Sequence, residues 1–263
     1  MHGKKWKKNK MKQMIAVGGK GGVGKTLIVA LLTQLLSTDY NLLTIDADPA
    51  LGLTHAIGIK PDKTIWDIRE SLKEGPERKK LLGGDKDRPL KKVIKENIIL
   101  KTRNFDFLVM GRSEGPGCYC ALNDLLRYSI DSLAQSYDMV LVDCEAGLEQ
   151  VNRRVLRKMD TLLLITDPTL RGVETIRYLS DIACKQEAEY VPQRMGLIFN
   201  RVRNKDDLKI FKEKLNIKIW GYIPDDELIK KYDLEGRSLL ELPDTSPAFQ
   251  AAAGLKTCLL SET

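Results

Sequence analysis

The chain has 263 residues, a formal net charge of +7, 43% hydrophobic and 30% charged residues. That is the balance of a globular domain with ample length for a buried core. No apolar run approaches the roughly 20 residues that span a bilayer, and no continuous apolar stretch follows the basic N-terminus as a secretory signal requires. The charge is local: residues 1–12 carry six lysines and no acid, residues 60–104 carry a further +6, and the remainder is net acidic. A general nucleic-acid surface is therefore not expected. The 1–13 stretch reads as a basic, solvated tail.

Residues 14–263 read as one domain in which short apolar runs alternate with helical patterns. The predicted strands are Met14–Val17, Asn41–Asp46, Phe107–Met110, Met139–Asp143, Thr161–Thr166, Arg194–Asn200 and Ile217–Tyr222. Between them lie segments of 3.6-residue periodicity, such as Ala121–Ser136 and Thr169–Glu187. Continuous apolar strands joined by helices predict an α/β fold, a doubly wound and mostly parallel sheet covered on both faces. Residues 60–104, polar and lysine-rich, interrupt the rhythm and are expected to form a helical insertion at the rim.

The first strand runs into Gly19-Lys20-Gly21-Gly22-Val23-Gly24-Lys25-Thr26, which holds the spacing of a phosphate-binding P-loop, and a helical run follows. Glycines let backbone N–H groups wrap an anion, and the helix N-terminus adds about half a positive charge. Lys25 is expected on the outer phosphates and the Thr26 hydroxyl on Mg²⁺. At the end of the second strand stands Asp46-Ala47-Asp48-Pro49, where ligands of doubly wound folds bind. One carboxylate there can orient an attacking water and another can support Mg²⁺. Val140-Leu141-Val142-Asp143 is a buried strand ending in a carboxylate for a Mg²⁺-bound water, and Gly147 would offer its N–H to the γ-phosphate. The sixth long strand ends in Asn200-Arg201-Val202-Arg203, without the aspartate that a guanine reader requires, so ATP is expected rather than GTP.

Five cysteines (Cys118, Cys120, Cys144, Cys184, Cys258) have no disulfide-framework spacing and suit a reducing cytoplasm. Cys118-Tyr119-Cys120 precedes a helix, and an extended Cys-x-Cys projects both sulfurs to one side. Two thiolates are half of a tetrahedral soft-metal site, which a two-fold dimer completes. Two loop cysteines without a role remain the alternative. Cys144 reads as a buried structural thiol.

The lysine at position 20 extends the P-loop to Lys-Gly-Gly-Val-Gly-Lys-Thr, which resembles the deviant Walker A motif of the ParA/MinD and nitrogenase iron-protein class. That resemblance implies a homodimer in which Lys20 reaches the partner's nucleotide. It also implies that Asp48 polarises water, that Asp46 lies on the Mg²⁺ side, and that Asn200, Arg201, Pro224 and Asp225 flank adenine. Leu27 stands where most of that class has a second hydroxyl. Together with Gly117-Cys118-Tyr119-Cys120 and Asp143 to Glu149, the motifs resemble the CooC family of nickel-insertion ATPases. The implied cargo is Ni²⁺ or Zn²⁺ held by Cys118 and Cys120, and the implied client is carbon monoxide dehydrogenase or acetyl-CoA synthase. An iron–sulfur reductase like the nitrogenase iron protein and a ParA/MinD-like positioning ATPase are the alternatives. The C-terminal segment lacks the basic amphipathic pattern of a membrane anchor.

Overall fold

A computed structural model describes residues 13–72, 76, 89–111, 120–147, 159–184 and 191–261. Residues 1–12 of the basic tail and Cys118 lie outside the described residues, and Gln13, read as the end of the tail, is buried at the start of the first strand. β1 (Gln13–Gly19) is followed by α1 (Lys25–Leu36), β2 (Leu42–Asp46), α2 (Gly52–Ile57), α3 (Ile65–Ser71) and α4 (Leu90–Asn97). Then come β3 (Leu100–Lys101), β4 (Asp106–Val109), α5 (Cys120–Ala134), β5 (Met139–Asp143), β6 (Thr161–Thr166) and α6 (Leu170–Cys184). The chain closes with β7 (Arg194–Val202), α7 (Lys209–Lys212), β8 (Ile219–Pro224), α8 (Glu227–Leu234) and α9 (Pro247–Leu260).

Eight strands form one sheet in the order β3-β4-β2-β5-β1-β6-β7-β8, parallel except for β3 against β4. The period-two alternation of a strand sends neighbouring side chains to opposite faces. Ile15 and Val17 therefore pack with Ile28, Leu31 and Leu32 of α1 and with Leu255 of α9. Met14 and Ala16 pack on the other face with Leu126 and Ile130 of α5 and Val173 and Ile176 of α6. Both faces are thus covered, as the unbroken apolar runs predict. β1 stands between β5 and β6, so its C-terminal end lies where strands diverge to either side. In doubly wound sheets that is where a ligand crevice opens.

Two details differ from the sequence reading. The 60–104 stretch does not lie wholly on the rim: Ile65 and Ile68 of α3 and Val93 and Ile94 of α4 are buried in the core. A Thr64–Asp67 capping box starts α3. The stretch also contributes the two-residue antiparallel edge strand β3, too short to show a period in the sequence.

Phe107 of β4 is fully buried and meets Phe105 edge to face at 6.3 Å between ring centroids. Truncating Phe107→Ala is expected to lower unfolding free energy by about 3–5 kcal/mol, from lost transfer energy plus the cavity. Urea titration would measure it, and a loss under about 1 kcal/mol would contradict this packing.

Candidate nucleotide site

The loop between β1 and α1 is shaped by glycines with different tasks. Gly19, Gly22 and Gly24 have φ of 147°, 78° and 90°, a region that side chains avoid. A Cβ on Gly19 would run into the Ile165 carbonyl of β6, and one on Gly24 into the Asn200 side-chain amide. Gly24 occupies the N-cap of α1 with no side-chain cap, so the first turn's N–H groups are left for a ligand. Lys25 is buried and its Nζ donates to the Lys20 carbonyl at 3.3 Å, while Lys20 itself is exposed. Gly21 and Gly22 are exposed and Val23 is buried beneath them.

Two carboxylates stand in register at the ends of neighbouring strands, Asp46 of β2 beside Asp143 of β5. Both are essentially without solvent. Asp143 accepts a 2.8 Å hydrogen bond from Thr26 Oγ1 on one oxygen, and its buried Oδ1 has no partner. Burial pushes its pKa up to about 7, with Asp46 and Asp48 adding to the rise and Thr26 and Lys25 opposing it. A threonine hydroxyl beside a carboxylate with an unmet oxygen is a donor set for a hard cation, so Thr26 and Asp143 fit Mg²⁺.

Asp46 is differently placed. Its Oδ2 accepts from both the N–H and the hydroxyl of Thr54, at 2.9 and 2.7 Å, and its Oδ1 from the Asp48 N–H at 3.3 Å. Burial raises its pKa in spite of these donors. Asp48 is half-buried and its Oδ1 accepts from the Ala50 N–H at 2.8 Å. Thr54 is a site residue that sequence reasoning missed. Its signal was a hydroxyl eight residues after Asp46 in the otherwise apolar opening of α2.

Beside the P-loop, a cavity of about 1200 Å³ is lined by Gly24, Leu27, Asn200, Arg201, Pro224 and Asp225 among others. Asn200 is buried; its amide donates to the Val23 carbonyl at 2.8 Å and its Oδ1 is buried without a partner. That unmet acceptor suits an exocyclic amine such as adenine carries. Asp225 takes Arg203 Nε and Lys230 Nζ, each at 3.1 Å, and its pKa is lowered chiefly by the Lys230 hydrogen bond. A carboxylate engaged by two cations is a poor reader of a guanine edge. Arg201 is exposed, with φ 58° at an irregularity of the β7–β8 ladder.

Gly147, with φ 85°, donates its N–H to the Gly19 carbonyl at 2.9 Å, in an isolated bridge between the loop after β5 and the P-loop. Cys144 is buried, and desolvation pushes its thiol up to about 12, the state of an inert structural cysteine. Cys120 opens α5; Cys118 lies outside the described residues. Among the described residues no group of three or more His, Cys, Asp or Glu is placed to hold a metal ion. Among them, too, no helix is long and apolar enough to cross a membrane.

The Asp143 carboxyl titrates near 7 when folded against 3.8 unperturbed, so its stabilising contribution is full below about pH 4 and is lost as pH rises towards 7. Without nucleotide or Mg²⁺, Asp143→Asn should therefore gain stability relative to wild type by up to about 4 kcal/mol between pH 4 and 7.5. Parallel thermal unfolding curves across that range, with no widening gap, would refute the shift.

A family model described as the CobQ/CobB/MinD/ParA nucleotide binding domain matches residues 14–239. An uncharacterized ATP-binding protein of Methanocaldococcus jannaschii is 38% identical over 241 residues, covering 90% of this chain and 94% of that protein. The carbon monoxide dehydrogenase accessory protein CooC of Rhodospirillum rubrum is 28% identical over 245 residues, covering 89% and 90%. Among solved structures, the septum site-determining protein MinD of Pyrococcus horikoshii, complexed with Mg-ADP, matches with a TM-score of 0.66 at 21% identity, covering 95% and 96%. This likeness bears on the fold. With the P-loop, the carboxylates and the strand order in place, the chain belongs to the CobQ/CobB/MinD/ParA nucleotide-binding family and is a P-loop ATPase.

Proposed function

We propose that this ATPase is a dimerising metallochaperone, in which ATP binding and hydrolysis control a thiolate site that carries Ni²⁺ or Zn²⁺ as cargo. One observation carries the reading. β4 runs parallel to β1 through β2 and β5, so its end at Val109 lies at the same C-terminal end of the sheet as the P-loop, and the Cys-x-Cys motif falls between that end and α5, which begins at Cys120. The likeness to CooC, named as a carbon monoxide dehydrogenase accessory protein, supports that enzyme as the client, with acetyl-CoA synthase the other client that the motif resemblance implies. Unpaired Cys144, Cys184 and Cys258 fit a reducing compartment, and we place the protein in the cytoplasm.

The roles follow from the site. Gly19 to Thr26 would cradle the phosphates, and Thr26 and Asp143, with Asp46 on the same side of the site, would hold Mg²⁺, which would supply positive charge to the outer phosphates. Asp48 orients the attacking water. Lys20, exposed at the lip of the loop, reaches the nucleotide of a second protomer. Asn200, Arg201, Pro224 and Asp225 line the adenine side. Gly147 reports the γ-phosphate by exchanging the Gly19 carbonyl for it. Two protomers each supply Cys118 and Cys120, the four thiolates that a tetrahedral soft-metal site needs. Closure of the dimer changes that site's geometry, and ATP shifts metal affinity by its differential binding to the two states.

Native mass spectrometry with metal analysis tests both halves. With ATP and Mg²⁺ the wild type should give a dimer holding one Ni²⁺ or Zn²⁺. Cys118→Ser/Cys120→Ser should keep the ATP-dependent dimer and lose the metal. Lys20→Ala should bind nucleotide as a monomer and hydrolyse it at least about tenfold more slowly, a barrier rise of some 1.4 kcal/mol. A metal-replete double variant would sink the cysteine site. A brown protein with cluster absorption after anaerobic purification would favour the iron–sulfur reductase.

A further inference from the structure

The segment from Asp46 to Thr54 leaves β2, turns past Thr26 at the start of α1 and enters α2. It carries the half-buried carboxylate of Asp48 and, at Gly52, lies against Thr26: a Cβ built on Gly52 would stand 3.4 Å from the Thr26 hydroxyl. Its backbone is strained. Leu51, a bulky residue, has φ 58° and donates its N–H to the Asp48 carbonyl at 2.9 Å. A leucine stays in that left-handed region only where surrounding contacts over-determine it.

The contact that closes this segment is Thr54 on Asp46. Both the N–H and the hydroxyl of Thr54 donate to the same carboxylate oxygen, at 2.9 and 2.7 Å, and Thr54 is 7% exposed. The other oxygen of Asp46 takes the Asp48 N–H at 3.3 Å. A buried carboxylate thus gathers donors from both ends of the strained turn. The hydrogen bonds of the clasp join Asp46, Asp48 and Thr54 alone, while Gly52 of the same turn lines the cavity with Gly24 and Asn200.

We propose that Thr54 is a positioning residue for ATP hydrolysis, holding the 46–54 turn through Asp46 so that Gly52 stays against Thr26 and the Asp48 carboxylate keeps its place in the turn. The proposal rests on the reading of Asp48 as the carboxylate that orients water. Without the hydroxyl, Oδ2 of Asp46 keeps only the backbone donor of Thr54, and the strained turn populates other arrangements. The hydrogen bonds of the clasp involve no P-loop atom, so its loss falls mainly on kcat rather than on KM.

Steady-state ATP hydrolysis by the full chain carrying Thr54→Val, Thr54→Ser, Asp46→Asn or Asp48→Asn tests this, alongside binding of a fluorescent non-hydrolysable ATP analogue. Valine keeps the shape of threonine, and serine keeps its hydroxyl. Thr54→Val should lower kcat about 10- to 100-fold, the size of a lost hydrogen bond to a charged group. Its KM and analogue affinity should stay within about twofold of wild type, and Thr54→Ser should restore most of kcat. Wild-type kcat in Thr54→Val, with Asp48→Asn inactive, would overturn the role of Thr54 alone. A fall in kcat matched by lost analogue binding, and not rescued by serine, would also overturn it in favour of a general folding defect. Full activity in Asp48→Asn would instead remove the reading of Asp48 and the proposal with it.

Discussion

The structure is organised around two carboxylates buried side by side. Asp46 and Asp143 end adjacent parallel strands in register, and neither has access to water. Like charges in an apolar setting are costly unless each finds donors, and burial raises the pKa of both. The two meet the cost differently. Asp46 is satisfied by the chain itself, through Thr54 and the Asp48 N–H. Asp143 has the Thr26 hydroxyl and one oxygen left unmet. The first arrangement holds a loop, and the second leaves a hydroxyl and a carboxylate oxygen of the kind a hard cation takes.

The P-loop repeats this division of labour. Gly19 and Gly24 lack a Cβ because the carbonyl of Ile165 and the amide of Asn200 approach too closely. Those two contacts tie the loop to β6 and β7 and fix its curvature. The uncapped first turn of α1 then supplies the N–H groups an anion takes. Asn200 braces the loop as well: its amide donates to the Val23 carbonyl, its buried Oδ1 has no hydrogen-bond partner, and the residue lines the adjoining cavity.

Long-range placement also explains which parts of the chain were readable. Strands β1, β2, β5 and β6 show as continuous apolar runs because both faces of the sheet are covered by helices. Edge strand β3 was invisible, since two residues carry no period. The lysine-rich 60–104 stretch looked peripheral because its charges outnumber its core anchors, yet Ile65, Ile68, Val93 and Ile94 reach the interior. Thr54 looked like one polar residue in a short helix until the fold set it against Asp46.

By itself the sequence determined the fold class, the phosphate cradle and the acidic strand ends, because each depends on local spacing: glycines before a helix, a carboxylate after an apolar run. Only the tertiary structure decided how the carboxylates differ. Whether a buried acid is satisfied or left wanting depends on donors brought from other elements, and no period or motif in the chain records which donor arrives. Thr26 and Asp143 are 117 residues apart in the chain, and folding alone makes them neighbours.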